Sequence, residues 1–347
     1  MPNNSLQKAS LILLLLLAAT SIYGQSLKLI KLPAPISGVN EEFSGMCTWQ
    51  NRIYLEPQYG DFKETKLDGK FNIYSLNADS VGQVIDGKDT ALTTYRTTPV
   101  VNLDKLPDSV KKYYEGFEAI SIINNTVFMS IETTDTYAYC FILKGTLDAK
   151  NNVIRIDPKH FATLRRYPYI SNAGFESITW LPTEKKLIAY YEFNGMKDGG
   201  KGYLIDTSFK QAPQKIKAPF LYFRITDIAA TQAGQIYGIN YFWNGDYDHY
   251  LNNDFITKPE PQIKATIPSL KDSLNNAPDY LKRKTFARIV KMDNYKTGQW
   301  QQVATFEGYK DNWEGITLFR KGALIVTDAN RSNKQLCLFG YVEFGAK

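Results

Sequence analysis

The chain has 347 residues, and its 41 basic and 35 acidic side chains give a formal net charge of +6 at pH 7. The lysines and arginines are scattered among carboxylates and no basic helix is visible, which disfavours a nucleic-acid partner. Three widely spaced cysteines, Cys47, Cys140 and Cys337, do not make a disulfide framework, so we expect buried free thiols and at most one pair.

Residues 1–24 are predicted to be a cleaved secretory signal peptide. They hold one basic residue, Lys8, an apolar run over 11–19 and a small residue, Gly24, near the expected cleavage point. The apolar run is too short to span a membrane, and no cysteine follows that could carry a lipid anchor. We therefore expect an exported protein, periplasmic or secreted, soluble after cleavage and without a membrane partner, with one domain over 25–347.

The strands of that domain follow a repeating order. After an alternating strand at 27–32, five strand pairs recur, each with an oxygen-bearing residue at the head of its first strand. The pairs are 44–49 with 52–57, 118–123 with 126–132, 176–181 with 187–193, 227–231 with 235–243, and 314–319 with 323–328. The outer strands are predicted at 71–76 and 91–95, 139–143 and 153–164, 202–205 and 214–216, 286–292 and 300–306, and 335–341.

A repeat of this kind predicts an all-β fold, a five-bladed β-propeller of four-stranded antiparallel blades. The last group lacks a fourth strand, and the spare N-terminal strand can take that place. Such pairing would close the ring and remove an exposed sheet edge.

The connections divide into two classes by length. Those between first and second strands are short, whereas the long ones leave the opposite face, where the first strands begin. Elaborated loops on a rigid scaffold often carry binding, so we expect the ligand at that second face. The longest insertion, 244–285, is interpreted as a lid or wall, or equally as a mobile surface insertion without ligand contact.

In a propeller the first strands surround the central channel, so their head residues form one ring. Here these residues are Ser44, Glu118, Glu176, Asp227 and Glu314. Clustered carboxylates repel one another unless they share protons or hold a cation. Ligands with oxygen alone favour Ca²⁺ over Mg²⁺ and disfavour zinc. In the alternative interpretation, Glu118, Glu176 and Glu314 bond backbone amides and hold the ring closed around water.

Basic and aromatic side chains at the elaborated face suggest a small anionic or phosphate-containing ligand. The candidates are Arg165, Arg166, Arg224, Trp243 and Arg331, although each arginine taken singly is more typical of an ordinary surface than of a site.

The order Ser, Glu, Glu, Asp, Glu at five strand heads resembles the calcium-activated nucleotidases (apyrases), which are five-bladed propellers. The Glu-Gly-Ile and Glu-Ser-Ile segments are similar, more loosely, to phytase-like esterase propellers. The resemblance implies a central Ca²⁺ held at Ser44, Glu118, Glu176, Asp227 and Glu314, with Asp227 standing where the family has Ser, and hydrolysis of nucleoside diphosphates at the mouth. The chain departs from the family's arginine-bearing segments at 55–60 and 190–193.

Three functions follow as hypotheses. The first is an exported calcium-centred hydrolase of phosphate esters or anhydrides, with Glu56, Glu132 or Glu192 as the catalytic base. The second is a non-catalytic propeller with structural calcium that recognises a glycan, peptide or partner protein. The third, an esterase with a hydroxyl nucleophile, is disfavoured because neither histidine, His160 or His249, lies at a strand head.

Overall fold

The fold is known from a computed structural model that describes part of the chain. The described residues are 27–60, 67, 71–167, 170, 172–195, 200–243, 245, 285–306, 311–330 and 337–345. The predicted signal peptide at 1–24, nearly all of the 244–285 insertion, and Arg331 lie outside them. Among the described residues, no helix is both long and apolar enough to cross a membrane.

Twenty strands are assigned in the described part of the chain, and they group into five antiparallel blades of four strands. A short parallel pairing, Val100 with Ile154 and Val101 with Arg155, joins the outer strands of the first two blades into one eight-stranded sheet. The first blade is β2 (Phe43–Trp49), β3 (Arg52–Pro57), β4 (Phe71–Asn77) and β5 (Arg96–Val101). The second is β6 (Tyr114–Ile123), β7 (Thr126–Thr133), β8 (Tyr139–Asp148) and β9 (Val153–Arg165). The third is β10 (Ser177–Leu181), β11 (Lys186–Tyr190), β12 (Gly200–Ile205) and β13 (Gln214–Ala218).

The last two blades follow the same order. The fourth is β14 (Arg224–Ala230), β15 (Ile236–Phe242), β16 (Phe286–Met292) and β17 (Gln301–Thr305). The fifth is β18 (Asn312–Phe319), β19 (Gly322–Asp328), β20 (Phe339–Glu343) and, outermost, β1 (Leu27–Ile30). β1 pairs antiparallel with β20, with Leu27 opposite Val342 and Ile30 opposite Phe339. The predicted completion of the last blade by the N-terminal strand is therefore confirmed.

The first strands of the blades contact one another in cyclic order, β2 to β6, β10, β14 and β18, and β18 returns to β2. The buried apolar side chains form five clusters, each between two neighbouring blades. Trp313, for example, is fully buried where the fourth blade packs on the fifth. Apolar burial at every blade interface is the main force that holds such a ring together.

The first blade differs from its sequence prediction. Its fourth strand is β5, at Arg96–Val101, so the prediction of a strand at 91–95 was wrong. A helix, α1 (Ala78–Ile85), occupies part of the connection, and Asn77 caps it by accepting a hydrogen bond from the backbone N–H of Ser80. Leu92 is buried without joining the sheet. The other helices within the described ranges are α2 (Asp108–Lys111) and two short 3₁₀ turns, Ala34–Ile36 and Leu103–Lys105.

Gly45 lies where the inner strands of the first two blades approach each other closely. A Cβ on Gly45 would stand 2.9 Å from the Cα of Ala119 and 3.0 Å from the amide nitrogen of Ile120. Backbone atoms cannot move aside as a side chain can, so we expect Gly45→Ala to lower the free energy of unfolding by roughly 1–3 kcal/mol. Urea denaturation measures this loss. In the control Gly38→Ala, the added methyl meets only the side chain of Glu41, and an equal loss there would contradict the packing argument.

Candidate functional site

The heads of the inner strands share a local irregularity. Register shifts in four of them leave a residue at the strand head out of the pairing with the second strand, and these residues are Ser44, Glu118, Thr226 and Glu314. β6 has a further shift, which leaves out Glu115. A β-bulge of this kind turns the side chain away from its regular direction in the sheet. The fifth inner strand, β10, begins directly after Glu176. These five residues therefore form one set of equivalent positions at the channel mouth.

The structure corrects the predicted set in the fourth blade, where the equivalent position belongs to Thr226 and not to Asp227. Thr226 Oγ1 donates to the carbonyl of Trp313 at 3.1 Å, just as Ser44 Oγ donates to the carbonyl of Phe117 at 2.6 Å. Each accepting carbonyl belongs to the residue before the next blade's bulge. The two hydroxyls thus tie neighbouring blades together in the same way.

Asp227 has a different task. Its Oδ1 accepts the N–H of Ile228 at 2.8 Å and its Oδ2 accepts the N–H of Ile316 at 2.9 Å. Burial raises the pKa of Asp227, and these N–H groups, with that of Met46, oppose the rise. Both carboxylate oxygens of Asp227 accept backbone hydrogen bonds, so this side chain joins the fourth blade to the fifth. The alternative interpretation of the ring had expected this role of Glu118, Glu176 and Glu314.

Three glutamates meet at the mouth between the second and third blades. Glu132, Glu176 and Glu192 each offer a carboxylate oxygen, and the three oxygens lie within 4.8 Å of one another. Glu176 is a predicted metal ligand, whereas Glu132 and Glu192 are predicted bases. They come together because the end of a second strand lies beside the head of the first in an antiparallel hairpin.

The electrostatics of this glutamate triad follow from its burial. Glu132, Glu176 and Glu192 are 3%, 6% and 0% exposed. Burial raises the pKa of Glu132 to about 8, although Arg166 opposes the rise. The pKa of Glu176 is raised well above its ordinary value by burial and then by the charges of Glu192 and Glu314. Burial also raises the pKa of Glu192, and Arg224 lowers it. The triad therefore favours either shared protons or a bound cation.

Glu118 and Glu314, the other ring carboxylates, lie close enough to act on the triad electrostatically. Glu118 Oε1 accepts a hydrogen bond from Gln58 Nε2 at 2.9 Å. The pKa of Glu314 is raised by burial and then by Asp328, and a hydrogen bond from Asn312 opposes this. Their roles as metal ligands, like that of Ser44, stay predictions.

Two of the predicted anion-binding arginines, Arg166 and Arg224, already have partners within the protein. Arg166 is fully buried, and its guanidinium donates to the carbonyls of Thr133 and Ile170, so it has no exposed atom to offer a ligand. Arg224 pairs with Glu192 at 2.9 Å, and its guanidinium lies 4.8 Å from the ring centre of Phe193. Its side chain keeps 15% exposure.

Two other proposed binding residues lie at strand ends. Arg165 is exposed at the end of β9, and Trp243 is 51% exposed just after β15. Their binding roles stay predictions, as does that of Arg331 outside the described residues.

Glu56, the third predicted base, lies outside the triad. It is fully buried in β3, and neither carboxylate oxygen has a hydrogen-bond partner within the described residues. Burial raises its pKa well above the ordinary value, and the charge of Asp227 adds to the rise. Glu56 is therefore a neutral, buried acid whose catalytic role stays a prediction.

This burial has a consequence for stability against pH. The folded protein keeps a proton on Glu56 that the unfolded chain releases above about pH 4.3. Glu56 therefore makes stability fall as the pH rises from there toward the raised pKa, by up to about 1.4 kcal/mol per pH unit. We expect the free energy of unfolding of Glu56→Gln to fall less steeply with pH, by the contribution of one proton. The variant should therefore be more stable than the wild type at alkaline pH. Urea unfolding across the pH range measures this slope, with the exposed change Asp89→Asn as the control. If the free energy of unfolding of Glu56→Gln depends on pH as that of the wild type does, the burial argument is contradicted.

Fold and site together define a five-bladed β-propeller with a buried acidic cluster at one channel mouth. No family model and no curated protein matches the chain. Among solved structures, a PQQ-bound aldose sugar dehydrogenase from Streptomyces coelicolor is 12% identical with a TM-score of 0.50, over 92% of this chain and 98% of that one.

Two glycosidase structures are also similar. An α-L-arabinofuranosidase from Clostridium thermocellum has a TM-score of 0.46 at 9% identity, over 88% of this chain and 94% of that one. A β-xylosidase/α-arabinofuranosidase from a compost metagenome, solved with xylotriose in a calcium-free form, has a TM-score of 0.49 at 9% identity. The match covers 93% of this chain and 96% of that one. Only the likeness to the sugar dehydrogenase, at a TM-score of 0.50, bears on the fold, and at 12% identity it supports the propeller fold alone. The resemblance to apyrases and phytases stays an expectation.

Proposed function

We propose that the protein is a propeller hydrolase whose channel mouth binds a divalent cation, Ca²⁺ by preference, and acts on a phosphate ester or anhydride. The observation that supports it is the glutamate triad of Glu132, Glu176 and Glu192. Three carboxylates from two blades, each almost without solvent contact, are costly to bury unless something compensates their charge.

The triad fits a hard cation by geometry and by donor type. Two oxygens on opposite sides of one Ca²⁺ stand about 5 Å apart, and those of the triad are no further apart than 4.8 Å. Glu132 Oε1 is buried and has no hydrogen-bond partner among the described residues, so it is available as a ligand. All three donors are carboxylate oxygens, which Ca²⁺ prefers.

The protein's own residues orient these donors. Arg224 fixes Glu192, and the backbone N–H of Gly174 also donates to Glu192 Oε1 at 3.2 Å. A cation bound here would polarise a phosphoryl oxygen or lower the pKa of a water molecule. Arg224 keeps 15% exposure beside the triad while it pairs with Glu192, and this remaining exposure supports a contact with an anionic substrate.

The second candidate is a non-catalytic binding propeller in which the cation is structural and the elaborated face recognises a glycan, peptide or partner protein. One observation favours it, because the triad is at most 6% exposed and a substrate needs access to a catalytic ion.

Turnover separates the two functions. Nucleotides, pyrophosphate, phytate and p-nitrophenyl esters are assayed with Ca²⁺ and with chelator. The hydrolase proposal expects Ca²⁺-dependent release of phosphate that Glu176→Gln lowers by about a hundredfold or more, since even outer partners of a metal site cost up to about that much. Asp89→Asn, which neutralises an exposed carboxyl in the connection between β4 and β5, is the control. No turnover, together with stabilisation by Ca²⁺, would favour the binding propeller, and activity that survives both chelator and Glu176→Gln would remove the cation from the chemistry.

We also infer that residues 1–24 direct export. N-terminal sequencing of protein recovered outside the cytoplasm should begin near residue 25, and an intact N-terminus there would contradict the inference.

A further inference from the structure

A cavity lies at the end of the channel away from the glutamate triad. Its volume is about 220 Å³, and all five inner strands line it through their later residues. It opens at the face with the short turns, where Pro182 and Gln232 stand at its rim. This is the face from which the sequence predicted no binding.

The lining repeats from blade to blade. Three residues after each head position stand Cys47, Ser121, Thr179, Ala229 and Thr317, and all five line the cavity. The channel thus carries a ring of small, mostly polar side chains at one end and a ring dominated by carboxylates at the other. Thr317 Oγ1 and Thr48 Oγ1 also bond to each other at 3.0 Å across the fifth and first blades.

The chemistry of the lining restricts the ligand. Among the described residues that line it, none is charged, so an ion would lose hydration there without a compensating partner. Hydroxyl groups and the amide of Gln232 both donate and accept hydrogen bonds. Trp180, which also packs against the core of the second and third blades, adds an aromatic ring to the lining, and aromatic rings are surfaces on which a sugar can lie. The volume equals that of about seven water molecules, which is the size of a single sugar ring.

We propose that this cavity is a binding site for a neutral polyhydroxylated ligand of monosaccharide size, such as a pyranose or a cyclitol. The ligand enters from the short-turn face, lies against Trp180 and exchanges hydrogen bonds with Ser121 and Thr179. The site is separate from the glutamate triad, so this proposal does not depend on the proposed hydrolase activity.

Calorimetric titration with glucose, galactose, xylose and myo-inositol tests the proposal, with tryptophan fluorescence as the second readout. At least one neutral compound should bind and change the emission, and Trp180→Phe should abolish the change. Thr179→Val keeps the side-chain shape but removes a hydroxyl, and we expect about fivefold weaker binding. Ala230→Phe, which fills the rim, should abolish binding, whereas Glu176→Gln should leave it unchanged.

The controls decide the chemistry. Glucuronate and glucose 6-phosphate should bind far more weakly than the neutral sugars, and Thr163→Val, away from the channel on β9, should bind as the wild type does. The proposal is overturned if no neutral compound binds at millimolar concentration. It is equally overturned if binding persists undiminished in Thr179→Val and Ala230→Phe, or if the charged analogues bind as well. Circular dichroism of each variant confirms that it is folded.

Discussion

Replacing Arg166 with methionine is expected to lower the free energy of unfolding by about 3–5 kcal/mol, the usual cost of removing one partner from a buried charged network. The guanidinium is fully buried and donates to the carbonyls of Thr133 and Ile170, which would be left without these donors. Its positive charge also opposes the rise in the pKa of Glu132, so that carboxyl should become still harder to ionise.

The neighbouring residue supplies a matched control. Arg165 is exposed, so Arg165→Met makes the same chemical change one position away and should alter stability little. Urea denaturation of both variants at neutral pH measures the difference. Equal stability of the two variants would show that the hydrogen bonds from Arg166 to Thr133 and Ile170 do not stabilise the fold.

Calcium is expected to raise the melting temperature of the chelator-treated protein. At a free Ca²⁺ concentration of about 100 times Kd, binding to the folded state alone adds about 2.7 kcal/mol. For a chain of this size that corresponds to about 5 °C. Differential scanning calorimetry with and without Ca²⁺ measures the shift.

Variants of the triad give this prediction a specific signature. Glu176→Gln removes one of three crowded carboxyls, so the ion-free protein should melt no lower than the wild type, yet its response to Ca²⁺ should be lost. Asp89→Asn, which neutralises an exposed carboxyl between β4 and β5, should keep the full response. A Ca²⁺ response that survives Glu132→Gln and Glu176→Gln would place the cation outside the triad. The absence of any response in the wild type would contradict the proposed cation site.

The sequence repeat was sufficient to predict the five blades and the N-terminal strand that completes the last one. This worked because each blade pairs a small-residue strand with a more apolar one across a short turn, and the pattern survives large insertions elsewhere. The fourth strand of the first blade was misplaced because a capped helix, α1, uses residues that composition alone does not separate from a loop.

The site was harder to predict because β-bulges are not visible in a single sequence. In the fourth blade, Thr226 and Asp227 are adjacent and both bear oxygen, so the strand head could be assigned to either, and only the register shift after Ile225 decides between them. One signal in the sequence did point to Thr226. Counting back two residues from the isoleucine of each repeat gives Glu118, Glu176, Glu314 and, in the fourth blade, Thr226.

The glutamate triad could also have been found by hairpin reasoning. Glu132 and Glu192 occur at the ends of second strands, and an antiparallel hairpin places such ends beside the heads of the first strands. The burial of Arg166 could not, because its exposed neighbour Arg165 has the same side chain, and only the packing of two blades distinguishes them.

The pairing of β1 with β20 sets the order in which this molecule can form. Leu27 faces Val342, so the two partners are separated by almost the entire polypeptide. While the chain emerges from the ribosome, the earlier blades can fold one after another. The pairing of β1 with β20 can form only after β20 has been synthesised. Contacts of such high contact order are slow to form. The nascent protein therefore carries an unpaired edge for most of its translation, and that interval is when chaperones and self-association would compete for it.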